Sequence, residues 1–194
     1  GALVDGKSCG TYGDIGCFSF FSNKNLSIGE GGMVSTQSKK LHQKLRYLRS
    51  HGMTTLTLDR HEGRAITYDI VQPGLNYRMD EMRAAIGTVQ LEKLSESNIK
   101  RGKLTDRYRL NFSGSAILIP FEEQPENVTS VYHILPVLLP IETDRIQVIN
   151  TLKEKGIQSS IHYPPFWDFK AYKDRFSSDD APITADICER QLTL

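Results

Sequence analysis

Between residues 15 and 36 the chain reads IGCFSFFSNKNLSIGEGGMVST, and the alternation of apolar and polar positions there divides it into three parts. Residues 15–21 are apolar and aromatic, with Cys17 and Ser19 alternating against Phe18 and Phe20, which predicts a mostly buried strand. Residues 22–32 carry Asn23, Lys24, Asn25 and the glycines Gly29, Gly31 and Gly32, the composition of a loop. Residues 33–36 predict the returning strand. A lysine therefore stands just past a buried strand, with a hydroxyl, Ser19, five positions before it.

The same reading extends in both directions. Upstream, Asp5-Gly6 separates residues 2–4 from 7–12 and signals a hairpin, because glycine tolerates the left-handed backbone of a tight turn. Downstream, Ser38 is a candidate N-cap for a helix with Leu41, Leu45 and Leu48 on one face, and Gly52 is placed to end it. Residues 54–70 have no clean period and predict a long irregular loop. Asp80 is a candidate N-cap for a helix whose Met82, Ala85, Ile86 and Val89 share a face kept thin by Ala84, Ala85 and Gly87. The helix is predicted to run to residue 112 and to break at Gly114. Residues 116–121 and 131–139 predict short strands, the second an edge strand or bulge because of Pro136. Asp144 and Gln147 form a capping-box pattern for a helix carrying Ile146, Ile149 and Leu152, closed by Gly156. Residues 157–163 predict another strand, and the last residues read as an apolar, helix-like stretch. Strand, strand, helix, strand after Gly114 suggests a small α/β domain.

Composition narrows the function classes. Hydrophobic content of 39% with 24% charged residues is ordinary for a globular protein, and a formal charge of +1 gives no reason to expect nucleic acid or an anionic membrane as partner. The three cysteines form no CxxC pair, which fits free thiols in a reducing cytoplasm. No apolar run is long enough to cross a bilayer, and the five histidines are scattered without metal-ligand spacing.

Lys24 carries the candidate chemistry. An amine becomes a useful nucleophile and base when desolvation or a nearby positive charge brings its pKa toward neutrality, and Phe18, Phe20 and Phe21 are positioned to desolvate it. Taken alone, Lys24 reads as an exposed loop lysine. A phosphate-binding P-loop is excluded, since GxxxxGK[ST] is absent. Arg49 and His51 read as helix-terminus cations or as ligand contacts, Asn76 as a turn residue or a ligand contact, and Arg78 as a partner of Glu81 or of an anionic substrate.

Three segments together resemble a known family. Ser19-Phe20-Phe21-x-x-Lys24 with Gly29-Glu30-Gly31-Gly32, then Gly74-x-Asn76-Tyr77-Arg78-Met79, then His162-Tyr163-Pro164, are similar to the DegT-type nucleotide-sugar aminotransferases, which use pyridoxal phosphate. The resemblance implies the second part of the large cofactor-binding α/β domain of a fold-type I aminotransferase (residues 1–112, with a long connecting helix). A small C-terminal α/β domain (residues 113–194) follows, and the chain is truncated at both ends. Lys24 would form the Schiff base and act as general base and acid, Ser19 would hold the cofactor phosphate, and Asn76 would reach the phosphate of a neighbouring subunit in a homodimer with shared active sites. His162, Tyr163 and Arg78 would face the substrate. The acidic partner of the pyridine nitrogen is expected before residue 1 and is not Asp5.

The implied reaction transfers an amino group from glutamate to a keto-sugar nucleotide, in deoxyamino-sugar biosynthesis in the cytoplasm. A non-catalytic fragment retaining dimerisation or nucleotide-sugar binding is the alternative. The dehydratase branch, in which histidine replaces the lysine, is disfavoured by Lys24. Family members often carry another histidine after the His-Tyr-Pro segment; residues 166–169 here are Phe-Trp-Asp-Phe and lack it.

Overall fold

The computed structural model describes residues 1–54, 63 and 67–194. Most of the loop predicted at 54–70 lies outside the described residues. The chain forms two compact units, Gly1–Asn98 with Glu126–Ser130, and Ile99–Pro125 with Val131–Leu194.

In the first unit, β1 (Leu3–Val4) and β2 (Lys7–Ser8) form the expected hairpin. Asp5 and Gly6 take φ values of 50° and 72°, the left-handed pair that a tight two-residue turn requires. β5 (Val128–Thr129) pairs antiparallel with the other edge of β1, and the Asn127 side-chain amide donates to Asp5 Oδ1 at 2.9 Å.

β3 (Gly16–Ser19) pairs antiparallel with β4 (Gly32–Ser35), with Gly16 opposite Ser35 and Ser19 opposite Gly32. Both strands are shorter than or shifted from the expected 15–21 and 33–36. The expectation of a mostly buried strand is also corrected. Cys17 and Ser19 are exposed, and Phe18 and Phe21 remain 37% and 41% exposed. The reason is physical: a two-stranded ribbon buries its apolar faces only when another element covers them, and no further strand pairs with this ribbon among the described residues.

α1 (Lys39–Arg49) begins where Leu41 N–H donates to Ser38 Oγ at 3.3 Å and carries Arg46 and Arg49 in its last turn, beside the negative end of the helix dipole. Gly52 (φ 73°) then donates its N–H back to Tyr47 C=O at 2.7 Å. α2 (Glu81–Phe112) is one continuous helix. Asp80 caps it, accepting the Arg83 N–H at 2.9 Å while the Arg83 guanidinium pairs with the same carboxylate. Gly114, at φ 75°, follows its end.

The second unit closes a core of its own. β6 (Pro136–Leu138) pairs antiparallel with β7 (Gln191–Thr193), so that Val137 faces Leu192; each is 1% exposed. Leu139 and Trp167 complete the buried apolar set. Pro136 occupies the first position of its strand, where a missing N–H costs no ladder bond. Four expectations change here. The strands predicted at 116–121 and 157–163 reduce to single bridges, Leu118 to Leu138 and Ser160 to Thr193, and the run 131–139 is a strand only from Pro136. The helix-like C-terminal stretch ends at Arg190 with α4 (Pro182–Arg190), and the remaining residues are strand β7.

That change of direction is held by arginines. Arg190 grips Asp186 with two N–H bonds (2.9 and 2.6 Å) and donates to Leu139 C=O at 2.9 Å, while Arg145 donates to the carbonyls of Cys188 and Gln191. Arg145 opens α3 (Arg145–Glu154), which Asp144 caps through the Gln147 N–H at 3.0 Å. Gly156 closes α3 at φ 75°, with Gly156 N–H bonded to Lys153 C=O and Ile157 N–H to Leu152 C=O. No helix is long and apolar enough to cross a membrane among the described residues.

Candidate active site

Ser19 and Lys24 both lie at one end of the β3–β4 hairpin. Ser19 is the last residue of β3, and Lys24 sits in the turn that follows, its N–H bonded to Phe21 C=O at 2.9 Å. Ser19 Oγ accepts the Phe21 N–H at 3.3 Å, and its own hydrogen has no acceptor among the described residues. Lys24 is half-buried. A primary amine and an uncommitted hydroxyl thus sit at one end of a short ribbon.

The loop carrying Lys24 is fastened to α2 by side chains that the sequence pattern did not single out. Ile28 is 5% exposed, the one buried apolar residue of the first unit among the described residues. It lies against Gly87, where an added Cβ would stand 3.4 Å from Ile28 Cγ2, and against Gly31, where a Cβ would stand 2.5 Å from Ile28 Cδ1. The Gln90 amide donates to Ser27 C=O at 3.3 Å, and the Asn25 amide donates to Asn98 Oδ1 at 2.9 Å. The thin helix face at 84–87 therefore admits an apolar side chain from this loop. An isolated isoleucine inside a polar, glycine-rich loop was the available signal.

Asn76 and Arg78 occupy a second segment of the same unit. Asn76 forms a backbone bridge with Ser50, and the flanking bonds run from Leu75 N–H to Leu48 C=O (2.7 Å) and from Tyr77 N–H to Arg49 C=O (2.9 Å). This close crossing depends on two glycines. A Cβ on Gly52 would stand 1.7 Å from Gln72 O, and one on Gly74 would stand 2.2 Å from Gly52 N. Both Asn76 and Arg78 are exposed, and no ion pair joins Arg78 to Glu81 among the described residues. Met79 Cε comes within 3.2 Å of a Cβ placed on Gly31, which links this segment to the hairpin. His51 takes a left-handed φ of 58° and bonds through its backbone to Leu75 C=O.

His162 and Tyr163 lie in the second unit, with rings edge-on at 4.9 Å. His162 is half-buried and Tyr163 exposed. Two β7 residues that sequence reading missed surround His162. Its N–H donates to Gln191 Oε1 at 3.0 Å, its Nδ1 lies 3.0 Å from Thr193 Oγ1, and Gln191 Nε2 donates to Thr193 Oγ1 at 2.6 Å.

Residues 1–194 match the model of the DegT/DnrJ/EryC1/StrS aminotransferase family. The chain is 34% identical to the UDP-N-acetyl-3-dehydro-alpha-D-glucosamine 3-aminotransferase of Acidithiobacillus ferrooxidans, over 100% of this chain and 48% of that protein. It is 29% identical to the GDP-perosamine synthase of Escherichia coli O157:H7, over 100% and 50%. Among solved structures, Spr1654 from Streptococcus pneumoniae in its PMP form matches with a TM-score of 0.87 at 28% identity, over 100% of this chain and 50% of that one; its PLP form gives the same TM-score. The chain spans about half the length of the curated relatives it matches.

Proposed function

Since this chain belongs to the DegT/DnrJ/EryC1/StrS aminotransferase family, we propose that it carries the lysine-bearing part of a pyridoxal-phosphate enzyme that moves an amino group from glutamate to a keto-sugar nucleotide. The observation that carries the reading is the position of Lys24. It stands half-buried in the turn after β3, five residues past a serine whose hydroxyl hydrogen is uncommitted. The donor set fits the cofactor, because a primary amine can bond its aldehyde and a hydroxyl can donate to its phosphate.

In this reading Ser19 donates to the phosphate, and Asn76 serves the phosphate in a neighbouring subunit of a cytoplasmic homodimer. When bound, pyridoxal phosphate supplies the electron sink that makes the donor's α-carbon acidic and carries nitrogen between the two substrates. Lys24 Nζ takes the proton from the α-carbon of glutamate. In the second half-reaction it delivers a proton to the sugar carbon that gains the amino group. The balance is one amino acid and one keto sugar converted to one keto acid and one amino sugar. Arg78, His162 and Tyr163 bind the sugar-nucleotide, with the cofactor work assigned to residues 1–112 and part of substrate recognition to 113–194.

The test is an absorbance scan of the protein with added pyridoxal phosphate, followed by borohydride reduction and peptide mass mapping. A new visible band and a mass gain on the Lys24 peptide, both lost in Lys24→Ala, are expected. Transfer from glutamate to keto-sugar nucleotides should fall by roughly 100-fold or more in that variant, the scale of a lost general acid–base group. An unchanged band in Lys24→Ala overturns the proposal.

A further inference from the structure

We propose that Gln191 and Thr193 are positioning residues that lock His162 in a single tautomer, making its Nε2 a hydrogen-bond donor to an oxygen of the sugar-nucleotide; the ligand half of this rests on the amino-transfer reading above. β7 alternates as a strand must. Leu192 is buried in the apolar core, while Gln191 and Thr193, each 5% exposed, share the other face. Two polar side chains so far from water need partners, and together with His162 they form a closed ring.

The direction of that ring is fixed by a group that has no choice. The His162 backbone N–H can only donate, so the Gln191 atom 3.0 Å away is the carbonyl Oε1, which sets the amide orientation. Gln191 Nε2 is then the donor to Thr193 Oγ1 at 2.6 Å. The backbone of Thr193 is already used, its N–H and C=O both bonded to Ser160 (2.8 and 3.0 Å). The remaining hydrogen of the ring is the Thr193 hydroxyl, and the atom it faces at 3.0 Å is His162 Nδ1. Were Nδ1 protonated instead, Thr193 Oγ1 would accept twice and its hydrogen would have no acceptor among the described residues. Neutral His162 therefore carries its proton on Nε2. That nitrogen has no hydrogen-bond partner among the described residues, and a ring N–H suits a phosphate or sugar oxygen.

The experiment is long-range 15N–1H NMR on the protein labelled with 15N-histidine, with His162→Gln assigning the signal. The expected spectrum has an unprotonated Nδ1 and a protonated Nε2 at His162. Thr193→Ser should preserve it, and the near-isosteric Thr193→Val should turn it into a mixture of both tautomers without loss of helical circular dichroism. A protonated Nδ1 in the parent, or an unchanged tautomer in Thr193→Val, overturns the lock. Titration with UDP, UDP-N-acetylglucosamine and GDP-mannose tests the ligand. A shift of the His162 Nε2 signal with UDP assigns the contact to the diphosphate, and a shift only with the sugar-nucleotides assigns it to the sugar. No shift with any of them overturns the ligand role.

In turnover, Thr193→Val should raise KM for the sugar-nucleotide about tenfold, the scale of one hydrogen bond, and leave kcat and the Lys24-dependent absorbance band unchanged. An unchanged KM overturns the positioning role. A missing band in the parent protein sinks the amino-transfer reading, whereas a wrong tautomer with the band intact sinks only the lock.

Discussion

The strand pairs β3–β4 and β6–β7 are built from similar residues and meet opposite fates. In β6 and β7, Val137 and Leu192 are sealed from solvent, and Leu139 and Trp167 of the same unit are buried too. In β3 and β4, Phe18, Met33 and Val34 stay open, and so do Tyr77 and Met82 in the same unit, at 73% and 77% exposed. Apolar sequence states which faces favour cover; the connectivity decides whether the same chain supplies it. In the second unit, Arg145 bonds the carbonyls of Cys188 and Gln191 and Arg190 bonds that of Leu139, which ties the start of β7 in place beside β6. The first unit leaves these apolar residues exposed, and the proposed homodimer would give them cover.

The comparison can be broken most directly in the sealed pair. Leu192→Ala should destabilise the protein by about 2–5 kcal/mol in chemical denaturation, since a buried leucine loses both its transfer energy and its packing. A loss no larger than that of a surface substitution would mean that the second unit does not hold its own core. Next in size, Gly74→Ala should cost roughly 1–3 kcal/mol, because its Cβ would stand 2.2 Å from Gly52 N and force the crossing apart. Thermal melts followed by circular dichroism measure this, and an unchanged midpoint would rule out the tight crossing that holds Asn76.

Met82→Ser sharpens the contrast. As an exposed substitution it should shift monomer stability by no more than about 0.5 kcal/mol, yet weaken self-association in sedimentation velocity if this face is the dimer contact. The smallest effect is acid-dependent. The Arg83 backbone N–H, donating to Asp80, holds that carboxyl below its ordinary value of 3.8. Its stabilisation of α2 is therefore complete above that ordinary value and is lost as pH falls through the lower folded value. An acid titration of helicity should show a small loss below about pH 4 that is absent in Asp80→Asn, and equal acid sensitivity of the two proteins would count against the cap.

What could be read in advance was chiefly what is local. Asp5-Gly6, Ser38, Asp80, Asp144 and Gly156 act within a few residues of themselves, so hydroxyl and carboxylate caps and left-handed glycines announce their elements without reference to the fold. Burial is not local, and there the reading went wrong. The β3 pattern predicted a covered strand because it could register demand but not supply. β7 was missed for the converse reason: Gln191 and Thr193 look like solvent-facing residues, and only their closed ring with His162 makes them tolerable inside. Lys24 and Ser19 were placed by the family resemblance, while the grip of Ile28 on Gly87 depends on two segments that meet only after folding.

That grip has a corollary for tuning. The loop bearing Lys24 is bolted to its neighbouring helix by one greasy peg, with two amide clasps beside it. Trimming the peg or thickening its socket at position 87 would shift the perch of Lys24 without altering Lys24 or Ser19 themselves. Modest edits on the helix are thus a ready dial for how this amine is presented.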